Sequence, residues 1–292
     1  MVKVRVNPYQ FTAKPVRTKY LVGSVKSIST TKSGYAIVAA EEGAAYVLDQ
    51  NLSVVSELTN LGCLTSSSSH GDLLAVAGCG STIHIYNVLE GTWLTLKTEH
   101  DMVEAILLTK RGILVCSDLC SFYTFEGKVV WELDTGPVYG NIARYVDLYF
   151  IPSAVKPQII VATDWFMVGR ISTKEHPLSV SAYNDTLYVG TESYLRSYKV
   201  LYSGAKPELE RYYGAPVVSV AARDLRTVAA AVQGGTIDIL RGDGEVLASM
   251  RTSSEPTALA WLGKRLLVGF QDGTIMQVEV KRRSSSNSNR RK

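Results

Sequence analysis

The sequence contains few side chains of the kinds that catalyse reactions or bind metals. Its four histidines are His70, His84, His100 and His176, and none has the spacing of a metal-ligand set or a catalytic pair. The patterns GxSxG, HExxH, GxxxxGK[ST] and GxGxxG are absent. We therefore predict no catalytic residue, no metal site and no cofactor, and we expect loop histidines such as His100 and His176 to be solvated.

The four cysteines, Cys63, Cys79, Cys116 and Cys120, are too few for the disulfide framework of a secreted protein of this length. Cys116 and Cys120 flank a tight turn, Ser117-Asp118-Leu119, so their Cα atoms could approach to the ~4.4–6.8 Å that a disulfide requires. A disulfide, a metal site and buried free thiols are the alternatives. We expect free thiols, which are typical of a reducing compartment.

The elements that position these residues follow from a repeat of about 40 residues. Seven short apolar runs recur at intervals of 35 to 41 residues. Their centres are Val38, Val76, Val115, Phe150, Val189, Ala230 and Val268. A segment rich in small residues precedes each run, and further strand-like segments follow it, with Gly, Asp or Asn in the turns. This period is typical of β-propeller blades, whose inner strands crowd around a central channel.

The sequence thus predicts an all-β fold, a seven-bladed β-propeller of four-stranded antiparallel blades, because no stretch shows sustained helical periodicity. The propeller covers residues 1–280, with blades near 24–59, 63–99, 103–136, 138–176, 178–214, 217–253 and 256–280. In blade 4 the segment QIIVATD is an alternative second strand, but the regular spacing favours DLYFIP around Phe150.

The last predicted blade ends after its third strand. Residues 16–22, VRTKYLV, lie immediately before the first inner strand, where a fourth strand of the preceding blade belongs. We expect this segment to pair with the last blade, which would close the ring and cover the sheet edges.

Two stretches resemble known propeller repeats. Residues 70–91, HGDLLAVAGCGSTIHIYNVLEG, resemble the core of a WD-repeat, and RLLVGFQDGTIMQVEV near the end is similar; neither has the Gly-His and Trp-Asp pairs of that repeat. Residues 126–136, EGKVVWELDTG, resemble the repeat of quinoprotein-type propellers. The resemblance to this superfamily covers nearly the whole chain and implies a rigid platform for protein assemblies, although a minority of such propellers are enzymes.

In this blade map, the loops between blades and the turns between second and third strands share one face of the disc, which we call the acidic face. Nine carboxylates fall on it: Glu41, Glu42, Glu99, Asp101, Asp118, Glu175, Glu192, Glu255 and Asp272. Only Lys174 opposes them there. Such a face would focus a negative potential and attract a basic partner or a cation. Charged loops can also serve solubility alone, and that alternative stays open.

The positive net charge of +4 comes from the end of the chain. Six of the 31 basic residues lie in the last twelve positions, which leaves 25 basic against 27 acidic residues in 1–280. The six are Lys281, Arg282, Arg283, Arg290, Arg291 and Lys292. We predict that residues 281–292 form a disordered basic tail that either contacts nucleic acid or another anionic surface without sequence specificity, or is a solvated end.

These features favour a non-catalytic scaffold that mediates protein–protein interaction within a macromolecular assembly. One alternative is a nucleic-acid-associated protein tethered through the basic tail. Another is an enzyme with a site at the mouth of the central channel, built from His100, His176, Glu99 and Asp101. No apolar run approaches the ~18 residues that span a bilayer, and the first ten residues alternate in polarity, so we expect a soluble, cytoplasmic protein.

Overall fold

The computed structural model describes residues 11–164, 166–201, 204–224 and 227–282, which form 28 β-strands and no helix. The strands form seven separate four-stranded antiparallel sheets, each a blade of one closed ring. The chain is therefore a seven-bladed β-propeller, as the repeat predicts.

The first strand, β1 (Phe11–Tyr20), belongs to the last blade, and the chain then forms blades 1 to 6 in order, each from its inner to its outer strand. Blade 1 contains β2 (Val25–Thr30), β3 (Ala36–Ala40), β4 (Ala44–Leu48) and β5 (Val54–Leu58). Blade 2 contains β6 (Leu64–His70), β7 (Leu73–Gly78), β8 (Thr82–Asn87) and β9 (Thr92–Lys97). Blade 3 contains β10 (Ala105–Leu108), β11 (Ile113–Cys116), β12 (Leu119–Tyr123) and β13 (Val129–Asp134).

The second half repeats this arrangement. Blade 4 contains β14 (Ala143–Tyr145), β15 (Leu148–Pro152), β16 (Gln158–Ala162) and β17 (Met167–Ser172), so DLYFIP is its second strand, as the spacing predicts. Blade 5 contains β18 (Pro177–Tyr183), β19 (Thr186–Thr191), β20 (Tyr194–Leu201) and β21 (Gly204–Tyr212). Blade 6 contains β22 (Val217–Asp224), β23 (Thr227–Val232), β24 (Thr236–Leu240) and β25 (Val246–Arg251). Blade 7 contains β26 (Pro256–Leu262), β27 (Arg265–Phe270), β28 (Thr274–Arg282) and β1.

The hydrophobic core is divided into seven clusters, and each cluster lies between two adjacent blades. Successive residues of one strand point to opposite neighbours: Ile37 packs into the cluster shared with blade 2, and Val38 into the cluster shared with blade 7. Both faces of a second strand are therefore buried, which explains why these strands are continuous apolar runs and do not alternate in polarity.

Hydroxyl side chains join the inner strands of neighbouring blades. The backbone amides of Ile106 and Leu108 donate to Ser66 Oγ and Ser68 Oγ, at 3.1 and 2.9 Å. Equivalent bonds run from Ala222 N to Ser181 Oγ and from Leu259 N to Ser219 Oγ. Buried amides need such acceptors because an inner strand has a ladder partner on one side only. The small polar residues of the inner strands thus both fit the crowded centre and bond the blades together.

The ring closes through β1, which pairs antiparallel with β28 from Phe11 opposite Arg282 to Tyr20 opposite Thr274. Closure by an N-terminal strand is as predicted, but the strand begins earlier than residue 16. Its partner β28 extends into the first two residues of the predicted tail, because Lys281 pairs with Thr12 and Arg282 with Phe11. Lys281 and Arg282 are therefore strand residues and do not belong to a disordered tail. The other four basic residues of the predicted tail, Arg283, Arg290, Arg291 and Lys292, lie outside the described residues.

Candidate interaction face

All nine predicted carboxylates lie in turns at the same end of the strands, so the acidic face is one face of the disc. Glu41 and Glu42 lie between β3 and β4, Glu99 and Asp101 between β9 and β10, and Asp118 between β11 and β12. Glu175 lies between β17 and β18, Glu192 between β19 and β20, Glu255 between β25 and β26, and Asp272 between β27 and β28. They are distributed around the ring and do not form one cluster.

Lys174 is not the only basic residue that opposes these carboxylates. Lys26 Nζ lies 3.0 Å from Glu41 Oε1, and Lys156 lies in the turn between β15 and β16. Lys26 is in an inner strand, so its membership of the face depends on the reach of its side chain. Blade 4 accordingly presents a basic turn where its neighbours present acidic ones.

Two of the nine carboxylates hold neighbouring turns in place. Glu175 Oε2 accepts hydrogen bonds from Thr191 Oγ1 at 2.6 Å and from the Ser193 amide at 3.0 Å. Both oxygens of Glu255 accept from the Gly234 amide, at 2.9 and 3.0 Å. These carboxylates bridge a loop between blades to a turn within a blade.

Asp272 has the same role within its own turn, where Oδ1 accepts from the Thr274 amide at 3.0 Å. Burial alone would raise the pKa of Asp272, but hydrogen bonds from Thr274 and Ser254 outweigh it, so the pKa is lowered. Asp272 is thus ionised, and its carboxylate is already hydrogen-bonded within the protein.

The densest acidic sector lies where blades 2 and 3 meet. Besides Glu99, Asp101 and Asp118, it contains Glu104, which precedes β10 directly. Burial, and secondarily the Asp118 carboxylate, raise the pKa of Glu104. Sequence reasoning missed Glu104 because it belongs to a segment that the repeat assigns to the inner strand.

His100 is buried, which corrects the expectation of a solvated loop histidine. Its Nδ1 lies 2.9 Å from Ser117 Oγ and its Nε2 lies 3.0 Å from Ser121 Oγ. Ser121 in turn donates to Glu132 Oε1 at 3.1 Å. Because a carboxylate only accepts, the Ser121 hydroxyl proton is committed to Glu132, so Nε2 must carry a proton and donate to Ser121. Burial lowers the pKa of His100, against the opposing influence of Glu132 and Glu99, so the imidazole is neutral and its Nδ1 accepts from Ser117.

The structure does not bring His100 and His176 together. His100 lies in the loop that enters blade 3, and both its nitrogens bond to serines of that blade. His176 lies in the loop that enters blade 5, and its buried Nδ1 has no hydrogen-bond partner among the residues that the structure describes. The two histidines thus belong to loops of different blades, and the enzyme alternative stays a prediction.

Side chains of the third strands fix the loops that form the acidic face. The hydroxyl of Tyr46 accepts from the Val22 amide at 3.3 Å, and that of Tyr123 accepts from the Glu99 amide at 3.1 Å. In blade 5 the guanidinium of Arg196 donates to the Thr173 carbonyl. In blade 6 Asp238 accepts from the Tyr213 hydroxyl at 3.0 Å. A loop held in this way keeps one conformation, so the face is a preformed surface.

Large apolar side chains are exposed among the carboxylates. Six of them, with between 43% and 73% of their surface accessible, lie in loops or strand ends of the acidic face: Tyr20, Val22, Met102, Tyr139, Val155 and Tyr212. Singly exposed apolar residues are ordinary, but several on one preformed face are typical of an interaction site. Sequence reasoning missed this set because its members share no pattern along the chain.

The central channel contains a cavity of about 250 Å³, lined mainly by small and hydroxyl side chains of the inner strands. These hydroxyls bond to one another or to the backbone: Ser27 Oγ lies 2.8 Å from Ser67 Oγ, and Ser69 Oγ donates to the Thr30 carbonyl at 2.7 Å. The charged residue of the lining, Lys26, is paired with Glu41. The channel hydroxyls thus serve the joints between blades.

All four cysteines form disulfides, which corrects the expectation of free thiols. Cys116 is bonded to Cys120, and Cys63 is bonded to Cys79, a pair that the sequence does not suggest. Cys63 precedes β6 and Cys79 follows β7, so the second bridge joins residues that antiparallel pairing brings together. Both disulfides lie on the acidic face. The cysteines therefore give no support to a reducing compartment.

Outside the acidic face, Lys281 is exposed and its Nζ lies 2.9 Å from Glu279 Oε2. It stands near the end of β28, on the side of the disc opposite the acidic face. Over the residues described, no group of three or more potential ligands could hold a metal ion. The same part of the chain contains no helix that is long and apolar enough to cross a membrane.

Comparison with known proteins adds no relative: no family model and no curated protein sequence matches the chain. The resemblance to WD-repeats therefore stays a prediction, while the propeller architecture stands on the structure.

Proposed function

We propose that this chain is a non-catalytic, WD-repeat-like scaffold whose acidic face binds a protein partner. The observation that carries the proposal is the combination, on one preformed face, of exposed apolar side chains with free carboxylates. The side-chain carboxylates of Glu42, Glu99, Asp101 and Glu192 make no hydrogen bond or ion pair with the residues that the structure describes. A partner that offers basic side chains around apolar ones would neutralise these carboxylates and cover Met102 and its apolar neighbours.

The sector between blades 2 and 3 is the centre of the proposed interface. It combines Glu99, Asp101 and Asp118 with the exposed Met102, and its loop is fixed by the Glu99 amide and by His100. Preorganised loops lower the entropic cost of association, so a modest area can bind specifically.

The test is a pair of charge-matched variants in affinity purification from the native cells, followed by mass spectrometry. The first, E42Q/E99Q/D101N/E192Q, removes four free carboxylates from the acidic face. The control, D72N/E90Q/E126Q/D147N, removes four from turns of the opposite face. We expect partners bound to the wild type and the control to be at least about tenfold depleted with the first variant, and their binding to weaken with added salt. Equal retention by both variants would overturn the proposal.

The alternative of nucleic-acid contact through the basic residues of 281–292 stays a prediction. It is tested with a chain that ends at Arg282, because a chain that ends at Val280 would also remove two residues paired with β1. Binding of nucleic acid that survives this truncation would contradict a tail-based contact.

The cytoplasmic location likewise stays a proposal. Disulfides persist mainly in oxidising compartments, with intracellular proteins of hyperthermophiles as an exception. Trapping the thiols by alkylation at the moment of cell lysis, together with fractionation, would establish both the compartment and the fraction of each bridge that is oxidised there.

A further inference from the structure

The two disulfides of the acidic face differ in their access to solvent. Cys79 is exposed and Cys63 is half-buried. Cys116 and Cys120 are both fully buried, with 0% of their surface accessible. Because exchange requires a thiolate to reach a sulfur atom, one bridge is open to attack in the folded protein and the other is closed.

The exposed bridge lies beside the loop of residues 98–104, which joins blades 2 and 3. The Cys79 amide donates to the Cys63 carbonyl at 2.7 Å, and on its other side Cys79 forms an antiparallel bridge with Met102. The Gly80 amide donates to the Asp101 carbonyl at 2.8 Å, and the Val103 amide donates to the Gly78 carbonyl at 2.9 Å. Residues 78–80 are thus fixed on one side by the disulfide to Cys63, and on the other side they hold the 98–104 loop by hydrogen bonds.

The opposite side of the same loop is held by blade 3. The Glu104 amide donates to the Cys116 carbonyl at 2.9 Å, and His100 bonds to Ser117 and Ser121. These contacts lie around the buried disulfide. The loop is therefore anchored twice, once next to an accessible bridge and once next to an inaccessible one.

We propose that Cys63–Cys79 is a site of thiol–disulfide exchange with dithiol reductants, and that its reduction releases the blade 2 side of the 98–104 loop while the blade 3 side stays fixed. The thiolate of the reductant attacks Sγ of Cys79, the more exposed of the two cysteines, and forms a mixed disulfide while Cys63 leaves as a thiolate. The second thiol of the reductant then displaces Cys79 and closes the reductant's own disulfide. Two electrons pass to the protein, and both cysteines end as thiols after protonation.

The first measurement is selective alkylation of the folded protein. The full-length chain is treated with dithiothreitol under native conditions, the thiols are blocked with iodoacetamide, and the modified peptides are quantified by mass spectrometry. We expect Cys63 and Cys79 to be alkylated while Cys116 and Cys120 remain bridged until the protein is unfolded. Resistance of Cys63–Cys79, or loss of both bridges at the same rate, would overturn the proposal.

The second measurement is amide hydrogen exchange of the oxidised and the selectively reduced protein. We expect exchange at Gly80 and Val103 to rise by about tenfold, the equivalent of about one lost hydrogen bond, while Glu104 is unchanged. The variant C63S/C79S should reproduce the reduced pattern, and if it does not fold, the reduced wild type supplies the same comparison. Unchanged exchange at Gly80 and Val103 would show that the bridge does not control the loop. Neither measurement needs a binding partner, so their outcome is independent of the scaffold proposal.

Discussion

Nε2 of His100 lies 3.0 Å from Oγ of Ser121 and donates its proton to that oxygen, because the Ser121 hydroxyl itself donates to Glu132. Burial lowers the pKa of His100 from the 6.5 of a free side chain. The unfolded chain therefore binds a proton at a higher pH than the folded one. The stability that His100 contributes is fully present above pH 6.5, and we expect it to be lost as the pH falls through 6.5 towards the folded-state pKa.

The variant H100Q tests this pH dependence because glutamine does not titrate. We expect it to lower the free energy of unfolding at pH 7.5 by about 1–3 kcal/mol, since one serine loses its partner. Its stability should also fall less steeply than that of the wild type between pH 6.5 and 5, as measured by urea denaturation. Burial also lowers the pKa of His84, so the stability of H100Q will still decrease somewhat as the pH falls. Parallel curves for the two proteins would contradict this role of His100.

Val146 is held in the left-handed region, with φ of 55°, in the two-residue turn between β14 and β15. The equivalent turns of blades 2, 5 and 7 have Gly71, Asn184 and Gly263 at this position, all with positive φ. A β-branched residue is strained there. We expect V146N to raise the free energy of unfolding by about 1 kcal/mol in chemical denaturation.

The matched control for that variant is V155N. It changes another exposed valine in a turn, but Val155 itself does not have a positive φ. It should alter stability by less than about 0.5 kcal/mol. An equal gain in both variants would attribute the effect to reduced surface hydrophobicity and not to backbone strain.

Ser68 accepts the buried amide of Leu108 across the joint between blades 2 and 3. We expect S68A to cost about 1–3 kcal/mol in the free energy of unfolding, because the amide is left without an acceptor. Ser53 is exposed in a loop, so S53A provides a control of the same chemistry with an expected change within about 0.5 kcal/mol. A neutral S68A would mean that water or a backbone shift satisfies the amide.

Removal of residues 1–20 should open the propeller, since β1 is the outer strand of blade 7 and Ala13 is buried against blade 6. We expect the truncated chain to unfold at a lower temperature than the full chain and to self-associate through the uncovered edge of β28, as seen by size-exclusion chromatography. A synthetic peptide of residues 11–20 should restore the elution volume of the full chain. The control is a chain that ends at Arg282, whose unfolding temperature should stay within about 2 °C of the wild type. A stable monomer without β1 would contradict closure by this strand.

The architecture could be predicted from the sequence because its signals are local and repeated. Second strands such as that around Val38 are buried on both faces, so each is a continuous apolar run, and a regular ring places these runs at regular intervals. Closure was predictable because one blade lacked a strand. The functional details depend instead on strand register and on side-chain reach. Cys63 meets Cys79 only when β6 pairs with β7, and the ring nitrogens of His100 find their partners, Ser117 and Ser121, only when blade 3 has formed. The apolar members of the acidic face come from different loops, so only the folded ring brings them to one surface.

The pairing of Phe11 with Arg282 determines how the molecule would respond to mechanical force. Both described ends of the chain lie at the same end of one antiparallel pair, so tension applied to them loads the β1–β28 hydrogen bonds one after another and not together. Such a pair unzips at low force. Once Tyr20 and Thr274 have separated, blade 7 has lost its outer strand, and only the packing of its remaining strands against blade 1 still closes the disc.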